Sequence, residues 1–175
     1  MVYRFLVLVM LFISNAFANS QLENLKSFEA EFVQSVKNES NKIIEYKGKV
    51  FIKNSGKVLW KYKTPIIKNV YVLGNIVIVD EPELEQAIYT TLENSIDIVK
   101  LLKDAKKVDE NKFEADIYNT KYTILLESKK IKAISYSDQL ENKVLIKFDN
   151  SIQNSQVPDN IFTFLPPEHY DIIKK

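Results

Sequence analysis

The chain has 175 residues, with 24 basic and 23 acidic side chains, one histidine, three glycines and no cysteine. A net charge of +1 leaves no basic footprint for nucleic acid, and the missing cysteines exclude a disulfide framework. One histidine without thiols cannot make a zinc or copper site, and so few glycines leave no phosphate-cradling loop.

The first residues set the compartment. Arg4 is a short positive n-region, Phe5 to Ile13 is an unbroken apolar run, and Ala16-Phe17-Ala18 is a small-x-small cleavage site. This reads as a secretory signal peptide over residues 1–18. The run is too short for a bilayer-spanning helix, which needs about 20 residues. Asn19 stands where a lipidated bacterial protein carries its modified cysteine, so no lipid anchor is expected on this chain. Residues 19–175 are expected to form one soluble domain. Arg4 is the only arginine, so 23 lysines then face 23 acids. Met1 and Met10 leave with the signal, so any greasy surface must use aromatic and branched side chains.

Ser20 to Ser27 predicts a short helix, with Ser20 as N-cap, Glu23 completing a capping box and Leu22 and Leu25 three apart. From Phe28 the period is two. Phe28, Ala30, Phe32 and Val36 alternate with polar residues, as do Ile44, Tyr46, Gly48, Val50 and Ile52, and then Val58, Trp60 and Tyr62. Phe113-Ala115-Ile117, Tyr122-Ile124-Leu126 and Val144-Ile146-Phe148 repeat the pattern. One apolar and one wet face per strand predicts antiparallel sheet. Asn54-Ser55-Gly56, Thr64-Pro65, Leu73-Gly74-Asn75, Asp109-Glu110-Asn111 and Tyr118-Asn119-Thr120 mark turns. Ser95 to Ala105 breaks the pattern: Ile96, Val99 and Leu102 recur at helical spacing, with Ile98 and Leu101 beside them. So short an amphipathic helix is unstable alone and must dock on the sheet.

Some strands are apolar on both faces: Val50-Phe51-Ile52, Val70-Tyr71-Val72-Leu73 and Ile76-Val77-Ile78-Val79. A second layer or a ligand must cover the other side. No catalytic constellation accompanies them. His169 lies near the C-terminus and reads as a solvated tail residue; Asp80-Glu81-Pro82-Glu83-Leu84-Glu85 reads as an acidic turn rather than a cation site. No metal, no cofactor and no enzyme activity are expected.

Four motifs in order carry a family resemblance. They are Phe28-Glu29-Ala30-Glu31-Phe32-Val33-Gln34, Trp60-Lys61-Tyr62-Lys63-Thr64-Pro65, Asp80-Glu81-Pro82-Glu83-Leu84-Glu85-Gln86 and Phe162-Thr163-Phe164-Leu165-Pro166. Together the sequence resembles the LolA-type outer-membrane lipoprotein carriers. The resemblance implies a mainly β fold with short helices: an unclosed antiparallel β-barrel of about eleven strands with an α-helical lid. It implies a monomeric periplasmic chaperone that takes the acyl chains of lipoproteins from an inner-membrane ABC transporter and passes them toward an outer-membrane acceptor. The expected acyl-binding residues are Phe32, Val50, Ile52, Val58, Trp60 and Tyr62 on strands and Ile98, Leu101 and Leu102 on the lid helix. Gln34 and Gln86 are expected to satisfy buried backbone groups. Many relatives carry an arginine that latches the lid, just after the lysine ending the second strand. Here Lys53 is followed by Asn54, which makes Lys53 and Asn54 the latch candidates, and neither reproduces the planar guanidinium fork. Two rival readings use the same features: a periplasmic half-barrel that binds or senses another amphiphile, and a protein-interaction module that recruits a partner along a strand edge.

Overall fold

The computed structural model describes Leu22, residues 24–91 and residues 98–175. The signal-peptide reading, the Ser20–Glu23 capping box and the first residues of the second predicted helix lie outside these; Leu22 itself is helical.

Twelve strands form one sheet: β1 (Ser27–Lys37), β2 (Ile43–Lys53), β3 (Lys57–Thr64), β4 (Lys68–Leu73), β5 (Ile76–Glu81), β6 (Gln86–Thr91), β7 (Lys106–Asp109), β8 (Lys112–Ile117), β9 (Thr120–Glu127), β10 (Lys130–Ser137), β11 (Lys143–Gln153) and β12 (Asp171–Lys174). A single described helix, α1 (Ile98–Asp104), lies between β6 and β7. The strand order is β12-β6-β5-β4-β3-β2-β1-β11-β10-β9-β8-β7, so the sheet ends on β12 and β7 and does not close. All pairs are antiparallel except β12 on β6. That parallel strand is the one beyond the expected eleven. Four residues at the chain end settle on the free edge of β6, where the amides of Asp171 and Lys175 reach the carbonyls of Glu85 and Tyr89.

Alternation decides which side chains point inward. Phe28, Ala30 and Phe32 of β1, Val50 and Ile52 of β2, Val58 and Trp60 of β3, and Val144, Ile146 and Phe148 of β11 share one buried core. Phe113, Ala115 and Ile117 of β8, Ile124 of β9 and Ile134 of β10 join it from the other arm of the sheet. Trp60 and Phe148 have ring centroids 6.5 Å apart although β2 and β1 lie between their strands. A flat sheet would separate those strands by roughly 14 Å, at about 4.8 Å per strand. The sheet therefore curls into a trough, helped by bulges on β11, β3 and β10.

Two-residue turns with both residues at positive φ, Tyr118-Asn119 and Ser128-Lys129, close the β8–β9 and β9–β10 hairpins. Their twist matches that of the strands they join. At Gly48 the need for glycine is steric: an added Cβ would overlap the Lys61 carbonyl oxygen and sit 2.9 Å from the Phe32 ring.

The outer face has a cover of its own. Val157, Ile161 and Phe162 pack on Phe51, Leu59, Tyr71 and Leu73, and Phe164 stacks at 5.4 Å on Tyr71. The chain's own C-terminal segment is thus the second layer that the two-faced strands required. Lys53 and Lys57 pin it through Asp159 at 2.9 and 3.1 Å, and the Lys53 ammonium also donates to the Val157 carbonyl.

Gly48→Ala is expected to lower unfolding stability by about 1–3 kcal/mol through overpacking. An unchanged urea midpoint would show that β2 and β3 do not approach this closely. Asp159 is held below the usual carboxylate range by its hydrogen bonds to Lys53 and then Lys57. A depressed folded value makes its contribution present above the ordinary pKa of about 3.9, and lost as pH falls through the folded value. The protection of amides 157–164 against hydrogen exchange, relative to the intrinsic rate at each pH, should therefore fall on acidification below about pH 4. Asp159→Asn should exchange faster already at neutral pH and lose that acid step.

Candidate functional site

α1 forms because Ile98, Leu101 and Leu102 fall on one stripe of a helical turn, with Lys103 in the last turn complementing the dipole. That stripe is buried against the trough: Ile98, Leu101 and Leu102 join the same core as Phe28, Ile52, Val58 and Phe113. Lys100 pairs with Asp104 one turn on, both half-exposed, while the buried stripe of α1 meets the trough through apolar contact.

Beyond the helix the trough stays open. A cavity of about 230 Å³ is walled by Trp60, Val70, Val72 and Val79 on one arm and Ile146 on the other. Its polar rim consists of Gln34, Tyr62, Lys68 and Tyr136. Phe32 backs the cavity, with its ring edge-on to Trp60 and to Tyr62, each at 5.1 Å. Tyr62 donates its hydroxyl to Gln34 Oε1 at 2.9 Å. Burial, then the neighbouring Tyr136 and Tyr46, raises the Tyr62 pKa; burial, then Tyr122 and Asp138, raises that of Tyr136. Both hydroxyls therefore stay neutral donors across the physiological range. The Lys68 ammonium lies 4.7 Å from the Tyr62 ring centroid and 5.7 Å from that of Tyr46. Burial lowers its pKa, and Glu81 partly offsets this. The site thus offers apolar walls, neutral hydroxyls and one cation at the lip, and no nucleophile beside a base.

The nine expected acyl-binding residues fall into three groups. Trp60 and Tyr62 line the cavity. Phe32, Val50, Ile52 and Val58 are buried in the core beneath it. Ile98, Leu101 and Leu102 occupy the trough as part of α1. The two latch candidates separate. Lys53 points to the outer face and holds the C-terminal segment. Asn54 borders a small gap of about 20 Å³ beside α1, with Leu22, Leu25, Val99 and Leu102. Neither glutamine caps backbone: Gln34 takes the Tyr62 hydroxyl and Gln86 donates to Glu81. Gln34, Lys68, Val70, Val72, Val79, Tyr136 and Ile146 are cavity residues absent from the expected acyl-binding set. Alternation gives their face but not which strands the curl brings together. The acidic stretch forms a 3-10 turn over Pro82–Leu84, and among the described residues no acidic or histidine cluster is placed to hold a metal ion. His169 is exposed, 4.0 Å from Glu85. No described helix is long and apolar enough to cross a membrane.

Comparison with known proteins places this geometry. Residues 23–124 match the model of a family described as outer membrane lipoprotein carrier protein LolA. The chain is 38% identical over 161 residues to the outer-membrane lipoprotein carrier protein of Wolinella succinogenes, covering 91% of this chain and 94% of that relative. It is 35% identical to the protein of the same description from Campylobacter jejuni, covering 86% and 88%. Among solved structures, a LolA superfamily protein of Nitrosomonas europaea overlays with a TM-score of 0.54 at 10% identity, covering 84% of this chain and 94% of that one. An uncharacterised conserved protein of Thermus thermophilus overlays at 0.55 and 8% identity, covering 90% and 97%. The structural likeness speaks for the fold, and the sequence matches carry the family: the chain belongs to the outer-membrane lipoprotein carrier family.

Proposed function

We propose that this chain is a periplasmic carrier that holds the acyl chains of lipoproteins in the trough and moves them from an inner-membrane ABC transporter toward an outer-membrane acceptor. On this reading residues 1–18 are removed on export, and residues 19–175 act as a single monomeric, non-enzymatic domain. The observation that supports it best is the pairing of an apolar cavity with a short helix whose apolar stripe is seated on the same face.

The energetics suit the task. An acyl chain of about 16 carbons costs roughly 12 kcal/mol to keep in water, at about 0.8 kcal/mol per methylene. A carrier must offset that cost and still release its cargo. Walls of Trp60, Val70, Val72, Val79 and Ile146 do both, since apolar contact has no directional bonds to break. With α1 seated, part of the apolar floor is covered and a cavity of about 230 Å³ is left beside it. Uptake then requires α1 to move aside, a hinge change driven by the difference in ligand affinity between the two states. In the empty protein, Ile98, Leu101 and Leu102 fill the space and spare water an exposed apolar patch. Trp60, Tyr62 and the core beneath them, Phe32, Val50, Ile52 and Val58, form the floor on which the chains lie.

The protein processed by an exporting host, added to spheroplasts with labelled lipoproteins, should bring them into the soluble fraction at one cargo per carrier. A folded protein that releases none would sink the carrier reading, and its extracted native lipids would then identify another amphiphile. Ile98→Glu puts a carboxylate at a position 2% exposed. It should loosen α1, the cargo's competitor for the trough, and lengthen cargo retention at least tenfold, while far-ultraviolet circular dichroism still reports the sheet. Retention equal to the parent's would remove α1 from the mechanism.

A further inference from the structure

The end of the sheet at which the cavity opens carries a second feature. The pairings Lys37–Ile43, Lys47–Thr64 and Tyr62–Lys68 put the β1–β2 and β3–β4 turns at one end of the trough. The rim residues Gln34, Tyr62 and Lys68 lie at the same end, while Leu22, Leu25 and α1 pack near the opposite end of β2, around Ile52. At these two turns four isoleucines project into water: Ile43 and Ile44, the first residues of β2, are 60% and 51% exposed, and Ile66 and Ile67, between β3 and β4, are 46% and 47% exposed. They are joined through Tyr46, whose ring meets that of Tyr62 at 6.0 Å beneath the shared Lys68 ammonium. Between them the segments 38–47 and 61–68 hold five lysines and two acids, Glu39 and Glu45. Lys42, Lys47, Lys61 and Lys63 are exposed and have no ion-pair partner among the described residues, and Glu45 accepts from the Ser35 hydroxyl. None of the four lines the cavity beside Trp60 and Ile146; Ile43 borders a separate open cleft with Tyr136, Val144 and Leu145.

We propose that this end is a docking surface for an anionic lipid bilayer, with Ile43, Ile44, Ile66 and Ile67 entering the acyl boundary and Lys42, Lys47, Lys61 and Lys63 on lipid phosphates. Charge complementarity selects the occupant. Lysines flanking branched aliphatics match a surface that is apolar within and negative at its face, and each adds attraction near such a surface. The shape agrees: the isoleucines stand at projecting turns, which a deformable bilayer accepts. The acidic turn Pro82–Leu84, with Glu81 and Glu85, lies at this end beyond β4 and would be turned away from the lipid face, so the molecule docks tilted on its β2–β4 side. In that pose the rim of Tyr62 and Lys68 faces the bilayer and an acyl chain has a short path into the trough. The purpose of docking rests on the carrier reading, whereas the binding itself is measured independently of it.

The test is flotation of the protein, processed by an exporting host, with phosphatidylethanolamine–phosphatidylglycerol vesicles and with phosphatidylcholine vesicles. It should float with the anionic vesicles only, and less as salt rises. Ile66→Ser/Ile67→Ser and Lys61→Glu/Lys63→Glu should each weaken binding about tenfold or more. Both pairs change exposed side chains outside the core, so binding of a fluorescent fatty acid in solution should stay at the parent level. Failure of the parent to float with either vesicle, or variants that float as well as the parent, would overturn the proposal. Flotation only with vesicles containing the reconstituted transporter would overturn it too, by making the patch a protein interface. A parent that floats yet releases no lipoprotein from spheroplasts would keep the docking surface and defeat the carrier reading.

Discussion

The ring of Phe32 organises the inner face. It lies over Gly48, where no Cβ fits, and this lets β2 and β3 approach across the β3 bulge opposite Lys47 and Gly48. From there it meets Trp60 and Tyr62 edge-on, and Trp60 reaches on to Phe148 across two strands. Edge-to-face rings add about 0.5–1.5 kcal/mol each beyond the area they bury. They also fix direction: the curl, the position of the Tyr62 hydroxyl on Gln34 and the depth of the cavity follow from where these rings can stand.

The two faces of the trough are closed by different means, and the difference bears on mechanism. Outside, residues 157–164 combine apolar packing with ion pairs from Lys53 and Lys57 and a hydrogen bond to the Val157 carbonyl. Inside, α1 is too short to be stable in isolation and rests on apolar contact. Directional bonds must be broken in concert with packing, whereas apolar contacts can be exchanged for those of an acyl chain at little net change in buried area. The inner cover is therefore the exchangeable one, which is the side on which a lipid carrier needs it.

Much of this was legible in the sequence, and the rest was lost for identifiable reasons. Period-two runs such as Val144-Ile146-Phe148 have one solution, a half-buried strand, and the turn residues between them set the hairpins. α1 could be read because Ile98, Leu101 and Leu102 break that period. The C-terminal cover could not, because residues 154–164 have no period and gain order from contact with Tyr71 and Leu59 and from the bonds of Lys53 and Lys57. β7 and β12, four residues each, are too short to show alternation and exist because an edge is there to pair with. Lys68 carries no signal in the sequence, where it is one lysine among many after the Thr64-Pro65 turn; the curl that brings β10 toward β4 makes it part of a cavity lip.

The latch shows how far pleat geometry alone can go. Successive strand residues point to opposite faces. On β2, Gly48, Val50 and Ile52 point inward, so Lys53 must point outward, as its bond to Asp159 records. Asn54, one residue on, lies beside Val99 and Leu102 of the helix. An ammonium on the outer face cannot hold a cover on the inner one, whatever its charge. In the proposed mechanism the remaining candidate on the helix side is a neutral amide, without the fork or charge of an arginine. Closing the trough then falls mainly to Ile98, Leu101 and Leu102. Their seat is the same surface that the cargo would take, so release of the helix and uptake of lipid become one competition for one apolar floor.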